Sequence, residues 1–274
     1  MLRLETETGW WLVTHPDHAH LAGAFAEKWG NDRFVPPEPR ANVLKGIHRH
    51  DDGWAARDAQ PQITRQGKPS AFSVELVGKY SAFEEIDLRD YLAVRDRAVR
   101  LIAEEDPYAA LLISMHTYSL LGEHADRSTI KPDELPLLDR FLQQQKEFQA
   151  AMRQRIAADS RFAAEQKTDG AIQDHFRLLQ AADYFSLLTC VDFPRSANLL
   201  HALPLRDGGR TNVQIRPKAS RDFVLEPYPF EERSVSFQFP ARHVTGKQFS
   251  SSSELQARFK AAPVQMLSVT VSAA

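Results

Sequence analysis

The sequence contains one cysteine, no excess of charge of either sign and no long apolar run. Cys190 alone cannot form an intrachain disulfide or a cysteine-rich zinc site, so we expect a buried thiol in a reducing compartment. Lys and Arg together number 34 and Asp and Glu 36, a balance that indicates neither nucleic acid nor an anionic membrane as a partner. No run of about 18 apolar residues is present to span a membrane. Glu5 and Glu7 interrupt the N-terminal segment where a signal peptide would be apolar. We therefore predict a soluble, cytoplasmic protein.

Several catalytic signatures are also absent. The sequence has no G-x-S-x-G, no P-loop pattern and no G-x-G-x-x-G. Ser114 and His116 are two positions apart in a predicted helix, so their side chains point about 200° apart and cannot form a nucleophile–base pair. What remains is a chain of 274 residues, 43% hydrophobic and 26% charged, which is the composition of a folded protein of one or two domains.

The pattern of apolar residues changes along the chain. Residues 2–14 have the pattern of a β-hairpin, and the pattern is helical over 15–191. Beyond residue 204 apolar residues alternate with polar ones, most clearly at Val235, Phe237 and Phe239 and again at Leu267, Val269 and Val271. A capping box at Ser251 and Glu254 predicts a short helix over 252–261. We predict a single domain over 1–274 that is mainly α: a helical bundle over 15–191, with a small antiparallel β layer formed by hairpin 2–14 and a β-rich subdomain over 205–274.

Four predicted helices carry a polar residue on an otherwise apolar face. They run from about His15 to Trp29, from Arg40 to Asp52, from Pro107 to Gly122 and from Gly170 to Cys190. The spacing of three and four places these polar residues on the inward faces: His18, the adjacent pair His50 and Asp51, His116, and Asp183.

Each of these positions has a simple structural explanation when taken alone. A single histidine on an apolar face is more often a hydrogen-bonded core residue than a ligand. A buried carboxylate, however, needs a charged partner or a metal ion. Three histidines and two aspartates on the buried faces of four helices are together suited to one divalent transition metal: Mn, Fe, Co, Ni or Zn.

The order His18, His50-Asp51, His116 and Asp183 resembles the HD superfamily of metal-dependent phosphohydrolases, named for its adjacent His-Asp pair. The chain is similar, more closely, to an uncharacterised, mostly bacterial family in that neighbourhood. The similarity extends over about residues 10–190 and rests on residues 17–23, 50–54, 67–69 with Phe72, 114–116 and 179–183.

The resemblance implies an HD-like helical fold and a metal-dependent hydrolase acting on a phosphate ester of a nucleotide or small metabolite. His18, His50, Asp51 and Asp183 would bind the metal. Asp51 or Asp52 would accept a proton, and His116 would bind the phosphoryl group or a second metal. The segment Gly53–Ser73, which contains Trp54, Asp58 and Lys68, would cover the site.

Several alternatives remain open on the sequence alone. Four cationic residues are candidates for binding the phosphate, and the sequence favours none of them: Arg49, Arg57, Arg65 and Lys68. The same ligands resemble those of HD-like di-iron oxygenases if a further histidine contributes, with His15, His124 and His175 as the candidates. A non-catalytic site that binds a metal or small molecule is the third possibility. The substrate, the native metal and the oligomeric state are not determined.

Overall fold

Eight α-helices lie in residues 1–77 and 87–274, the part of the chain that the computed structural model describes. Within these ranges, no helix combines the length and the apolar character needed to cross a membrane. A π-helical turn, Ser119–Glu123, continues the fifth helix. The helices are α1 His15–Lys28, α2 Arg40–Arg49, α3 Ala55–Asp58, α4 Leu88–Ala103, α5 Pro107–Tyr118, α6 Leu135–Ala158, α7 Asp169–Cys190 and α8 Ser252–Ala261.

Local sequence signals account for where most helices begin. The Thr14 side chain accepts a hydrogen bond from the backbone N–H of Asp17 at the start of α1, and Ser251 caps α8 through the N–H of Glu254. Asp106 caps α5 in the same way. The predicted starts of these three helices are confirmed. Helices α4 and α6 lie inside the stretch predicted as helical, although the sequence did not delimit them.

The prediction of a mainly α protein with a small antiparallel β layer is wrong. The structure instead contains a curled, seven-stranded mixed sheet that includes much of the chain. Its order is β1-β2-β8-β9-β7-β6-β3, with β7 and β9 parallel and the other neighbours antiparallel. The strands are β1 Leu2–Glu5, β2 Gly9–Val13, β3 Ala197–Asn198, β4 Leu203–Pro204, β5 Arg210–Thr211, β6 Gln214–Ala219, β7 Asp222–Glu226, β8 Ser234–Thr245 and β9 Val264–Ala273. Strands β4 and β5 form a separate pair.

The strands that sequence analysis did not predict have weak signals in the sequence. Strand β6 contains Pro217 at a shift of register, a residue that argues against a strand in sequence analysis. Strand β3 has only two residues. The parallel pairing of Phe223 with Val271 joins distant segments and has no local signature. The predicted hairpin β1–β2 is confirmed, and Trp10 of β2 pairs with Val244 of β8, so the N-terminal strands continue the C-terminal sheet.

Helix α1 lies between the sheet and α7, which positions the residues discussed below. The Phe25 ring stacks on Phe185 of α7 with centroids 4.1 Å apart, and it meets Phe237 of β8 edge-on at 4.6 Å. These aromatic rings are fully or almost fully buried. Because these contacts fix the rotation of α1 about its axis, His18, which lies seven residues before Phe25 on the same face of the helix, is directed toward α2 and α7.

Candidate metal centre

All five residues predicted on inward helix faces come together in one buried cluster, which we call the His/Asp cluster. It consists of His18 on α1, His50 and Asp51 at the end of α2, His116 on α5 and Asp183 on α7. All five are buried. They form two groups of three with potential metal-ligating atoms within 4.8 Å of one another: His18, His50 and Asp51, and His50, His116 and Asp183.

The nitrogen–oxygen distances within the cluster range from those of hydrogen bonds to slightly longer ones. His18 Nε2 lies 3.1 Å from Asp51 Oδ2, and His50 Nε2 lies 3.2 Å from Asp183 Oδ1. His50 Nε2 is also 3.9 Å from Asp51 Oδ2, and His116 Nε2 is 3.7 Å from Asp183 Oδ2. Donor atoms that each lie about 2.1 Å from one ion are separated from one another by roughly 3–4 Å. Each of the two groups of three therefore has the dimensions of a metal site.

Hydrogen bonds outside the cluster determine which histidine nitrogens point into it. The Ser186 hydroxyl donates to the carbonyl of Asp183 at 2.7 Å, so its oxygen accepts from His18 Nδ1, 2.9 Å away. His50 Nδ1 donates to the carbonyl of Ile47 at 2.7 Å. In the neutral rings both Nε2 atoms consequently carry lone pairs that face carboxylate oxygens.

Lone pairs that face carboxylates repel unless a cation lies between them. Among the residues that the structure describes, His50 Nε2 and His116 Nδ1 are both buried without a hydrogen-bond partner, and buried polar atoms in proteins are rarely left in that state. Either added protons or a metal ion would relieve the repulsion. The donor set of imidazole and carboxylate suits Mn, Fe, Co, Ni or Zn.

The pKa values of the cluster follow from its charges. Burial acts to lower the pKa of His50, but Asp51 and Asp183 outweigh it and raise the value to about 9. Burial acts to raise the pKa of Asp183, but His50 overcomes it and lowers the value to about 2. Burial lowers the pKa of His116 to about 3. Two ionised carboxylates in one buried cluster call for a positive charge between them.

A buried arginine that sequence analysis missed completes the cluster. Arg95 Nη1 donates to Asp51 Oδ1 at 2.6 Å, and Arg95 Nε donates to the Tyr91 hydroxyl at 3.2 Å. The guanidinium also lies 5.5 Å from the centroid of the Trp54 ring. Despite the effect of burial, Arg95 and His50 hold the pKa of Asp51 well below its usual range. The available signal was the buried face of α4, where Arg95 is the one charged member among Leu88, Tyr91, Leu92, Ala98, Val99 and Ile102.

A glycine allows Arg95 to come this close. A Cβ atom at Gly53 would collide with the carbonyl oxygen of Val94, the residue before Arg95. The one-turn helix Asp52–Trp54 therefore packs directly on the backbone of α4. This close approach brings Asp51 and Arg95 together, although they are far apart in the sequence.

The His/Asp cluster opens into a cavity of about 500 Å³. Four of its residues, His18, Asp51, His116 and Asp183, line this cavity, as does Arg95. The predicted covering segment Gly53–Ser73 supplies much of the wall, including Trp54, Arg57, Asp58, Lys68 and Phe72. His15 and His124 are also in the wall. A volume of this size admits a small organic ligand beside the cluster.

Several predicted residues do not belong to this site. Asp52 is not in the cavity wall, and its carboxylate accepts a hydrogen bond from Arg49 Nε at 2.6 Å. His175 is buried elsewhere, beside Tyr108. Arg49 and Arg65 are absent from the cavity wall, whereas the other two predicted phosphate-binding candidates are present.

His15 lies in the cavity wall, and both its ring face and its Nδ1 are in contact with neighbours. Its ring stacks on Trp54 with centroids 4.2 Å apart, and its Nδ1 is 3.0 Å from Asp58 Oδ2. Burial lowers the pKa of His15 to about 4. A neutral ring held in this way is 5.9 Å from the His18 ring, centroid to centroid, and borders the cluster without joining it.

A comparison with protein families places the chain in one of them. A family model described as "Protein of unknown function (DUF3891)" matches residues 1–246. The chain belongs to this family, and the matched range includes the whole His/Asp cluster and strands β1 to β8. No match was found among curated proteins or among solved structures.

Proposed function

We propose that this protein is a metal-dependent hydrolase that acts on a phosphate ester, and that its site is of the HD type. The observation that carries the proposal is the orientation of His18 and His50. Both histidines have Nδ1 committed to a neighbour, and both direct Nε2 at a buried carboxylate. A divalent ion bound there would supply a Lewis acid that polarises the phosphoryl group and lowers the pKa of bound water.

The number of donors favours one ion over two. His50 has one nitrogen left for a metal, because its Nδ1 is bound to Ile47. One oxygen of Asp51 is taken by Arg95. His175, which might have supplied a further ligand, lies outside the cavity wall. The donors of the His/Asp cluster thus account for one ion, and this supports the hydrolase over a di-iron oxygenase.

The charge of the cavity wall supports an anionic substrate. Four cationic side chains and four carboxylates line the described wall. A divalent ion would therefore make the wall net positive, as binding of a phosphate ester requires. The cations are Arg3, Arg57, Lys68 and Arg95, and the carboxylates are Asp51, Asp58, Glu75 and Asp183.

The residues around the ion would have separate roles. We assign Asp51 to metal binding, because Arg95 occupies its second oxygen and its lowered pKa makes it a weak base. Arg95 Nη2 has no hydrogen-bond partner among the described residues and belongs to a side chain in the cavity wall, so it is placed to bind a phosphoryl oxygen. His116 would bind the same group from α5. A cytoplasmic setting, predicted from the lone cysteine, is part of this proposal.

The test is metal analysis combined with a panel of phosphomonoesters and phosphodiesters. We expect wild-type protein to retain about one transition-metal ion per chain and to hydrolyse at least one ester. His50→Ala should lose both properties. The matched control is His48→Ala on the same helix, since His48 contacts Glu27 on the protein surface and should keep both.

Three outcomes would overturn the proposal, two of which concern metal retention and ester hydrolysis. One is a wild-type protein that retains no metal after incubation with Mn, Fe, Co, Ni or Zn. The other is a protein that retains metal but hydrolyses none of the esters. Two irons per chain with a visible absorption band would replace the hydrolase by an oxygenase.

A further inference from the structure

The cavity wall contains two cations that form no ion pair with any described residue. They are Arg3 of β1 and Lys68 in the segment after α3. Both lie near the Trp10 ring: Arg3 Cζ is 5.4 Å and Lys68 Nζ is 5.8 Å from its centroid. Two positive charges beside one ring repel each other, and an anion between or above them would remove that cost.

The backbone that carries Lys68 is held firmly. Thr64 N donates to the carbonyl of Lys68 at 2.7 Å and closes a tight turn, which Gly67 enables with a φ of +74°. The carbonyl of Gly67 accepts from Phe249 N at 2.8 Å. Arg3 Nη1 donates to the carbonyl of Pro69. The two cations are thus linked to each other's segments and to the sheet, so a ligand would meet them already positioned.

One acidic residue lies close to them without neutralising both. Glu75 is exposed, and its carboxylate accepts a hydrogen bond from the Ser73 hydroxyl. This bond lowers the pKa of Glu75, and the charges of Arg3 and Lys68 contribute. It forms no ion pair with either cation. Counting the residues of 1–77 and 87–274, one negative charge stands against two positive charges, so this part of the described wall is positive.

These cations are on different elements from the metal ligands. The His/Asp cluster is carried by α1, α2, α5 and α7, whereas Arg3 and Lys68 belong to the sheet and the segment packed on it. Both groups nevertheless line the same cavity. A ligand held by both would need two anionic groups separated by a spacer.

We propose that the cavity takes substrates with a second anionic group, a carboxylate or a phosphate, and that Lys68 and Arg3 bind this group while the reacting phosphoryl group lies at the His/Asp cluster. The inference rests on the proposed function. It makes Lys68 a determinant of specificity, because binding energy at a remote group is available to position the reacting one.

Binding of phosphonates, which cannot be hydrolysed, tests this without turnover. The probes are propylphosphonate, with one anionic group, and 3-phosphonopropionate and propane-1,3-bisphosphonate, with two. The four-carbon pair of butylphosphonate and 4-phosphonobutyrate extends the spacer. In calorimetric titrations of the metal-loaded protein, at least one probe with two anionic groups should bind about tenfold more tightly than its counterpart with one anionic group.

Substitutions at Lys68 test whether this residue causes the tighter binding of probes with two anionic groups. Lys68→Met should reduce the ratio between the two affinities severalfold, and Lys68→Arg should restore it. Lys260→Met is the matched control, because Lys260 is an exposed lysine of α8 outside the cavity wall. Arg3 is left intact in these variants, since its bond to Pro69 supports the turn.

The possible failures are distinguishable. If wild type binds the probes with one and with two anionic groups with equal affinity, the second-anion inference is overturned and the hydrolase proposal still stands. The second-anion inference is likewise overturned if Lys68→Met weakens all probes alike, because Lys68 would then bind the first anionic group. Absence of binding by every phosphonate would overturn the phosphate-ester proposal and this inference with it.

Discussion

Helices α5 and α7 meet at two buried histidines that differ in how their nitrogens are used. Near the start of both helices, the Tyr108 hydroxyl donates to the carbonyl of Gln166 at 3.1 Å and accepts from His175 Nδ1 at 2.8 Å. His175 Nε2 in turn accepts from Glu38 N at 3.4 Å. Both ring nitrogens are satisfied by a neutral ring, and burial lowers the pKa of His175 to about 4.

About 12 Å further along α7, the same two helices meet at His116 and Asp183. Here His116 Nδ1 is buried with no partner in the described part of the chain, and Asp183 is surrounded by the nitrogens of His18, His50 and His116. Both histidines are buried. Hydrogen bonds use both ring nitrogens of His175, whereas Nδ1 of the candidate ligand His116 has no partner among the described residues.

The strongest test of this comparison is Asp183→Asn, which keeps the shape of the side chain and removes its charge. We expect metal affinity to fall by more than about 100-fold, beyond the loss usual for a residue that only supports a ligand. His175→Gln, on the same helix, should bind metal as wild type does. Competition with a chelator measures both. If Asp183→Asn binds metal as tightly as wild type, the surroundings of Asp183 do not differ from those of His175 in their ability to bind metal.

The pH dependence of stability tests the neutral state of His175. Its folded pKa of about 4 lies below the usual value of about 6.5 for an unfolded chain. The unfolded state therefore binds more protons between these values, so stability falls as the pH drops below about 6.5. At pH 5 this difference costs roughly 2 kcal/mol.

Urea unfolding of the metal-free protein at pH 7 and pH 5 gives the measurement. His175→Gln should lose about 2 kcal/mol less than wild type over this interval. Equal losses in the two proteins would show that His175 does not remain neutral in the folded state.

Ser186→Ala tests whether the hydroxyl that orients His18 supports metal binding. Its removal leaves His18 Nδ1 without the acceptor found 2.9 Å away. Loss of such a supporting partner typically weakens metal affinity by about tenfold or more. Thr189→Val is the control, because the Thr189 hydroxyl bonds to carbonyls of its own helix. If the two variants bind metal equally well, the orientation of His18 does not depend on Ser186.

The smallest expected effect is that of Tyr108→Phe at the hydrogen-bonded histidine. The variant removes the bonds to His175 and Gln166, and we expect it to destabilise the fold by about 1 kcal/mol. Metal affinity should not change. A loss of metal here would mean that the two regions of α5 and α7 are coupled, contrary to the comparison.

Local sequence patterns are sufficient to predict the helices that carry the candidate ligands and the helix faces on which those ligands lie. Thr14, Asp106 and Ser251 mark helix starts through bonds to residues two or three positions away, and a spacing of three and four places His18 and Asp183 on inward faces. These are local properties of the chain, so single-sequence patterns can predict them.

The strand pairing of the sheet, the role of Arg95 and the hydrogen bonding of each histidine depend on the tertiary structure. The parallel partner of β7, the ion pair of Asp51 with Arg95 and the bond from Glu38 to His175 all join residues far apart in the chain. His116 and His175 are both buried, on two helices that pack together. Their difference arises from which distant groups reach their ring nitrogens, and that depends on packing rather than on local sequence.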